Sequence, residues 1–275
     1  MKKSKRKAIP IYIILVFVCI IALFPFVWVG FAATHNNSQI FNLSYTFIFG
    51  ESFLANFATL KEDFPVARNI FNTIAIAGIY TAIVILVDSM AGYAFDKFEF
   101  KGKKPIFMLF MVSLFVPVQV TMIPLFVEVT NMKLMNTIWA VILPSCASVF
   151  GVFLMRQNMA VFSGEIIDAA RIDGAGEFYI FFKIVFPNMR SAITALGIVS
   201  FVNMYGSFMW PLIALRDREQ YTLPLALSLL VQPSSMVDYG EVFCGAVITL
   251  LPMLILFLVF QKNFVDGMTA GALKG

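Results

Sequence analysis

Long apolar stretches separated by short polar connections dominate this chain. A helix that crosses the hydrocarbon layer of a bilayer needs about 20 mostly apolar residues. Six stretches meet this requirement, at residues 9–33, 68–94, 105–127, 136–156, 190–214 and 242–261. The pattern therefore predicts an all-α integral membrane protein with six transmembrane helices in a single membrane domain of residues 1–275.

Two apolar segments could be mistaken for something other than what we predict, namely the first span and residues 220–237. The first apolar stretch follows MKKSKRK, as a signal peptide would, but it is too long for an h-region and shows no small-residue cleavage site. It is predicted to be a retained span behind a basic tail of residues 1–8. Residues 220–237 include Pro224, Gln232 and Pro233. We predict a loop or a re-entrant segment there instead of a seventh span.

The composition supports solvation by lipid, since 60% of the residues are hydrophobic and 13% are charged. A soluble chain of this length carries far more charge. Cys19, Cys146 and Cys244 lie in apolar runs without metal-ligand spacing and are predicted to be buried thiols. His35 lies in a polar stretch and is predicted to be a solvated loop side chain. No metal site is predicted.

The distribution of cations predicts the orientation. With six spans, the side that holds both termini collects 15 of the 20 Lys and Arg residues. These 15 are Lys2, Lys3, Lys5, Arg6, Lys7, Lys97, Lys101, Lys103, Lys104, Arg156, Arg171, Lys183, Arg190, Lys262 and Lys274. Because an excess of Lys and Arg marks the cytoplasmic face, both termini and the connection between spans four and five are predicted to be cytoplasmic.

Motifs of soluble catalytic domains do not occur in the sequence. It contains no GxxxxGK[ST] phosphate loop, no HExxH and no GxSxG, which argues against a membrane enzyme. A secondary transporter usually carries several ionisable groups at the midplane of the membrane, whereas Asp88 is the only acid well inside a predicted span. We expect Asp88 to reach toward water or to pair with a neighbouring span.

One polar segment, GEIIDAARIDGAGEFYIFFKIVFP at residues 164–187, interrupts the apolar pattern. Ser163 is a candidate N-cap, Glu165 falls in the first helical turn, and Gly174 suits the position after the helix. A second helix, EFYIFFKIVF, is predicted to follow and to end before Pro187.

The first of these helices has a distinct polar face. Glu165, Asp168 and Arg171 are spaced three apart and share that face, while Ala169 and Ala170 allow a partner to approach closely. On the residues alone, an ordinary amphipathic loop explains the segment as well as a docking surface does.

The spacing in this segment resembles the EAA loop of binding-protein-dependent ABC importer permeases, E-A-A-x3-G-x9-I-x-L-P. Asp168 stands for the first Glu and Phe186 for Leu, and both substitutions keep the charge or the hydrophobicity. The matching positions are Asp168, Ala169, Ala170, Gly174, Ile184, Phe186 and Pro187.

Four shorter segments resemble the carbohydrate branch of that family, typified by the maltose permease MalG. They are AARIDGA at 169–175, WPL at 210–212, TLPLAL at 222–227 and the ending QKNFVDGMTAGALKG. The resemblance extends from about residue 65 to the end of the sequence.

The resemblance implies a type I ABC importer permease fold in the bacterial inner membrane, with a cytoplasmic coupling helix between spans four and five. The implied partners are a second, MalF-like permease, two ATPase subunits that bind ATP and magnesium, and an extracellular solute-binding protein. This chain would bind no cofactor and no nucleic acid, would have no catalytic residue, and would end in a cytoplasmic tail at 262–275. The coupling loop would span 162–187, with ATPase contacts at Glu165, Asp168, Ala169, Ala170, Arg171 and Gly174.

The resemblance further implies a sugar substrate, an oligosaccharide first, with a polyol or glycerol phosphate as the alternative solute and a secondary transporter as the alternative class. Span five carries Tyr205-Gly206-Ser207 where such permeases often have a Trp-Asn-acid trio. Residues suited to sugar contact there are Asn203, Tyr205, Ser207 and Trp210, although aromatic side chains in spans also serve packing. No charged residue lies between Ser191 and Leu215, which favours a neutral sugar over a phosphate ester.

Overall fold

The computed structural model describes residues 2–42, 47–232 and 237–272, with residues 2–9 and 262–272 described as backbone only. Parts of the predicted 220–237 loop (233–236) and C-terminal tail (273–275) lie outside these residues. Regular structure in the described ranges is helical throughout. The helices are α1 (Lys2–Ala32), α2 (Asn37–Ile40), α3 (Phe53–Asp63), α4 (Val66–Lys97), α5 (Lys103–Ser113), α6 (Val118–Asn131), α7 (Ile138–Ile142), α8 (Val149–Met159), α9 (Gly164–Ile172), α10 (Glu177–Tyr179), α11 (Phe186–Asn188), α12 (Arg190–Tyr205), α13 (Met209–Ala214), α14 (Leu223–Leu230) and α15 (Tyr239–Ala272).

Three of these helices are individually long and apolar enough to cross a membrane, over Pro10–Ala32, Val66–Lys97 and Tyr239–Gln261. Three bent pairs of helices supply the remainder, so that up to 6 crossings result if each pair is one span. The predicted all-α membrane fold is confirmed. From Ile11 to Val27 most side chains of α1 are exposed, and they are apolar, as contact with lipid requires.

The continuous spans predicted at 105–127, 136–156 and 190–214 are interrupted in the structure. α5 and α6 meet at 105° beside Pro117, and α8 begins after a break of 47° that follows a 3₁₀ turn at Leu143–Ser145. α12 ends at Tyr205, before α13. Proline lacks the N–H that a continuous helix needs, and hydropathy averaged over 20 residues does not register such local breaks.

The chain forms two compact units. The larger one takes Ala67–Leu225 and the chain from Met253 onward. In this unit the first turns of α4 hold the segment before α14: the amide of Asn69 donates to the carbonyls of Arg218 and Tyr221 at 2.9 and 2.8 Å. The hydroxyl of Thr73 accepts the N–H of Leu223 at 2.8 Å. These bonds fix a polar turn ahead of α14, which is too short to span a bilayer.

The smaller unit takes the chain up to Val66 together with Ala226–Pro252. This unit contains α3, whose Asn56 donates to the carbonyls of Ala33 and His35, both at 2.9 Å. The prediction of a solvated His35 is wrong. Its ring is buried, and Nδ1 donates to the carbonyl of Phe31 at 2.9 Å, which satisfies an acceptor at the end of α1.

The prediction of buried thiols is confirmed for Cys244 alone. Cys146 is half-buried beside the break before α8, and Cys19 lies on the exposed, apolar surface of α1. Apolar neighbours in the sequence do not show whether a side chain is buried in the protein or faces lipid, because both surroundings are apolar.

Asp88, deep in α4, is fully buried and pairs with the neighbouring span instead of reaching toward water. Its Oδ1 accepts the backbone N–H of Ser148 at 3.0 Å, and the Ser148 hydroxyl accepts the N–H of Gly151 at 3.2 Å. A carboxylate next to the N–H groups at the start of α8 is also favoured by the helix dipole. Asp88 therefore stabilises the interruption of the fourth span.

Gly151 is required by this arrangement, since a Cβ atom there would overlap the Asp88 carboxylate. We expect Gly151→Ala to lower the free energy of unfolding by about 1–3 kcal/mol, as overpacking of a core does. Thermal unfolding in detergent would measure the change. Gly78→Ala is the matched control, because no heavy atom lies within 4 Å of that Cβ position. Equal unfolding midpoints for both variants would contradict the role assigned to Gly151.

Candidate functional site

The polar segment predicted to dock a partner forms α9, whose two faces differ. Ile167 and Ala170 are buried against the protein, whereas Glu165, Asp168 and Ala169 are exposed. The helix therefore presents an acidic face with a small residue, while Ala170 serves inward packing. Ser163 occupies the N-cap position as predicted, because α9 begins at Gly164, but its side chain makes no capping hydrogen bond. Glu165 lies in the first turn as expected.

Gly174 ends α9 in the way its position predicted. Its φ is +81°, a left-handed conformation that glycine adopts without steric cost. The N–H of Gly174 donates to the carbonyl of Arg171, and the N–H of Ala175 donates to that of Ala170, each at 3.0 Å. This pair of bonds is the Schellman motif, and it turns the chain sharply toward the next helix.

Arg171 connects the two helices of the segment. Its Nη1 lies 3.1 Å from Oδ1 of Asp168, and its Nε donates to Oε1 of Glu177 at 2.7 Å. The remaining oxygen of Glu177, Oε2, accepts the hydroxyl of Tyr93 at 2.9 Å. Tyr93 is buried in the last turns of α4, so the network joins α9 and α10 to a membrane-spanning helix.

The charge state of this network follows from the same contacts. The hydrogen bond from Arg171 lowers the pKa of the Glu177 carboxyl most strongly, burial opposes this shift, and the bond from Tyr93 adds a smaller lowering. A depressed pKa means that the pair contributes stability above the ordinary pKa of glutamate and loses it as the pH falls through the lowered value. The network is therefore charged and intact at neutral pH.

A second anchor holds the entry to α9. Nζ of Lys97, at the end of α4, donates to the carbonyl of Phe162 at 2.8 Å and pairs with Asp96 at 3.0 Å. The segment is thus attached to α4 on both sides of α9. Sequence reasoning assigned no role here to Tyr93, Lys97 or Glu177. Tyr93 lies 84 residues before Glu177, and nothing in its local pattern indicates the contact.

The second helix of the segment lies out of line with the following span. α10, a π-helix at Ile180–Val185 and α11 form one helical stretch that meets α12 at 82°. Ile180, Phe181 and Val185 are buried on its inner side. The prediction that the helix ends before Pro187 is wrong, since the stretch continues to Asn188. Pro187 is the second residue of α11, and proline is tolerated in the first turn of a helix.

Apolar side chains surround the acidic face of α9 on the outside. Ile172 is 86% exposed and Phe178 is 71% exposed, and Ile166 is also exposed. Large exposed apolar side chains next to charged groups are typical of surfaces that bind another protein. The geometry accordingly favours a docking surface over an ordinary connecting loop.

The four candidates for sugar contact lie in different settings. Asn203 is exposed on α12, and the buried ring of Tyr205 stacks on Phe201 with centroids 5.8 Å apart. Ser207 is half-buried in the break after α12. Trp210 is buried, and its Nε1 donates to the carbonyl of Ala140 at 2.9 Å, so this indole also holds α13 against α7.

No set of three His, Cys, Asp or Glu side chains in the described ranges could hold a metal ion. The candidate site is built from a helix, a glycine turn and a charged network.

Comparison with known proteins gives consistent matches. Residues 89–269 match the family described as "Binding-protein-dependent transport system inner membrane component". The arabinooligosaccharides transport system permease protein AraQ of Halalkalibacterium halodurans is 35% identical, over 98% of this chain and 100% of that protein. The lactose transport system permease protein LacG of Rhizobium radiobacter is also 35% identical, over 94% and 93% of the two chains.

Two further matches are more distant. The sn-glycerol-3-phosphate transport system permease protein UgpE of Yersinia pestis is 27% identical, over 96% of this chain and 98% of that protein. A chain from the crystal structure of a bacterial ABC transporter involved in the import of the acidic polysaccharide alginate shares the fold. Its TM-score is 0.77, at 17% identity over 96% and 98% of the chains.

The family match covers well over half of the chain, and relatives at 35% identity align along nearly all of it. The chain therefore belongs to the family of binding-protein-dependent transport system inner membrane components, as the spacing at 168–187 predicted.

Proposed function

We propose that this chain is the permease subunit of an ATP-driven importer for a neutral sugar, and that α9 is the helix that couples it to an ATPase. The proposal rests on the arrangement of α9, which is exposed on one face and is also attached to α4. Its outer face is acidic and accessible, and the helix is held to α4 through Arg171, Glu177 and Tyr93.

The contacts of α9 suit it for transmitting movement. A displacement applied to Asp168 would pass through Arg171 and Glu177 to Tyr93, and the Lys97 anchor would pull on the same end of α4. Glu165, Asp168 and Arg171 supply polar contacts to the ATPase, Ala169 leaves room for close seating, and Ala170 and Gly174 hold the helix and its turn. Closure of an ATPase dimer would then shift the spans.

The remaining partners follow from this function. A second, related permease would complete the translocation path, two ATPase subunits would bind ATP and magnesium, and an extracellular solute-binding protein would deliver the sugar. The excess of Lys and Arg beside α9 and in the N-terminal tail supports a cytoplasmic position for α9 and for both termini.

The substrate class rests on relatives and on charge. The names of two relatives at 35% identity refer to arabinooligosaccharides and lactose, both neutral sugars. The name of the UgpE relative refers to a phosphate ester, but no charged residue lies between Ser191 and Leu215 to bind one. Asn203, Tyr205 and Ser207 are proposed to line the sugar path, with Trp210 shaping it through its bond to Ala140.

Asp168→Lys is expected to abolish stimulated ATP hydrolysis and to release the ATPase, because it reverses the charge of the outer face and removes the partner of Arg171. Co-purification and transport-linked hydrolysis would measure both effects. Asp173→Lys is the matched control, since it makes the same charge change at the exposed C-cap of α9. Unchanged ATPase retention and hydrolysis in the Asp168 variant would refute the coupling role.

Gly174→Leu is expected to loosen the ATPase by distorting the turn. A side chain in the left-handed conformation costs about 1–2 kcal/mol. Gly176→Leu is a close control, because Gly176 has a φ of −73° and both glycines have open space around them. Co-purification of the ATPase with each variant measures the effect. Equal retention in the two variants would show that the backbone conformation at Gly174 is not needed.

Addition of the binding protein loaded with a neutral oligosaccharide is expected to stimulate ATP hydrolysis by the reconstituted transporter. A panel of oligosaccharides, monosaccharides, polyols and glycerol phosphate would identify the class. Replacement of Asn203 by Leu should reduce stimulation by the active sugar without releasing the ATPase. Stimulation by glycerol phosphate alone would overturn the sugar assignment and leave the coupling proposal standing.

A further inference from the structure

A basic cavity lies apart from α9, at the end of the second span. It measures about 770 Å³ and is formed by the connection after α4, by α5 as far as Met111 and by the side chain of Arg156 on α8. Since α4 ends at Lys97 and α5 begins at Lys103, the cavity lies where apolar helices reach the membrane surface.

The cations of this cavity are only partly neutralised. Lys103 pairs with Glu99 at 2.9 Å, and this bond lowers the pKa of the Glu99 carboxyl, so the two charges cancel. The ammonium of Lys104 and the guanidinium of Arg156 form no ion pair or hydrogen bond with any residue that the structure describes. Two positive charges are therefore left for a negatively charged ligand.

The rest of the lining is apolar and accessible. Phe107, Met108 and Met111 line the cavity beside the cations, and Met108 is 68% exposed. The guanidinium of Arg156 lies over the ring of Phe107 at 4.0 Å, which fixes its position at the border between the charged and apolar parts. The cavity thus combines two cations with a hydrocarbon surface, whereas a free phosphate would need only the cations.

We propose that this cavity binds the headgroup of an anionic glycerophospholipid, with the phosphate at Lys104 and Arg156 and the acyl chains along Met108 and Met111. Lipid is the solvent of the surrounding helices, and basic pockets between spans on the cytoplasmic side attract anionic headgroups. The cation-rich connection 97–104 supports that side of the membrane. The inference does not depend on the coupling role of α9.

The test uses the assembled transporter, released from nanodiscs of mixed phosphatidylglycerol and phosphatidylcholine and examined by native mass spectrometry. The unmodified transporter should retain phosphatidylglycerol preferentially. Lys104→Gln should weaken this retention about fivefold, and Lys104→Gln with Arg156→Gln should weaken it by about the same factor again. Lys101→Gln, in the same connection but outside the lining, should retain the lipid as the unmodified transporter does.

Several results would overturn the proposal. Equal retention of the two lipids, or equal losses in the Lys104 and Lys101 variants, would show that the cavity does not recognise an anionic headgroup. Displacement of phosphatidylglycerol by inorganic phosphate would assign the cations to a free anion. Because Lys104 is exposed and Arg156 packs on Phe107, the single Lys104 variant decides the matter even if the double variant fails to fold.

Discussion

The contact between α9 and the membrane-spanning α4 centres on the carboxylate of Glu177, which accepts a hydrogen bond from Arg171 on one oxygen and from Tyr93 on the other. Hydrogen bonds to a charged group are worth about 1.5–3 kcal/mol when sheltered from water. The Arg171 side is more than one third exposed, so screening by water weakens it, whereas Tyr93 is buried. The bond to Tyr93 is therefore the one sheltered on its donor side, and it is also the one that reaches the membrane-spanning helix.

A comparable constraint acts inside the membrane. Broken helices leave N–H groups without intrahelical partners, and lipid cannot supply acceptors. At the start of α8, the Asp88 carboxylate and the Ser148 hydroxyl each accept one of these groups. The single acid in the middle of a span is thus explained by the geometry of its neighbour. This structural role explains Asp88 without an ion-coupling function. The family assignment likewise argues against a secondary transporter.

Much of the fold could be predicted from the sequence, because the apolar spans and the left-handed Gly174 each depend on local residue patterns. The errors arose where the deciding contact is distant or where an average hides it. The break beside Pro117 vanishes in a hydropathy window, and the burial of His35 depends on the end of α1. Tyr93 is recognisable as part of the site only when Glu177 is placed beside it.

The length of α9 limits how such a helix can evolve. A helix of 9 residues is unstable by itself in water, since helices shorter than about 12–15 residues are marginal. Its folded state must therefore come from the buried Ile167 and Ala170 and from the Arg171 network, together with the turn at Gly174. Those positions cannot change to suit a different ATPase without unfolding the helix. Adaptation to a partner is left to Glu165 and Ala169, whose side chains are exposed and lie outside the Arg171 network.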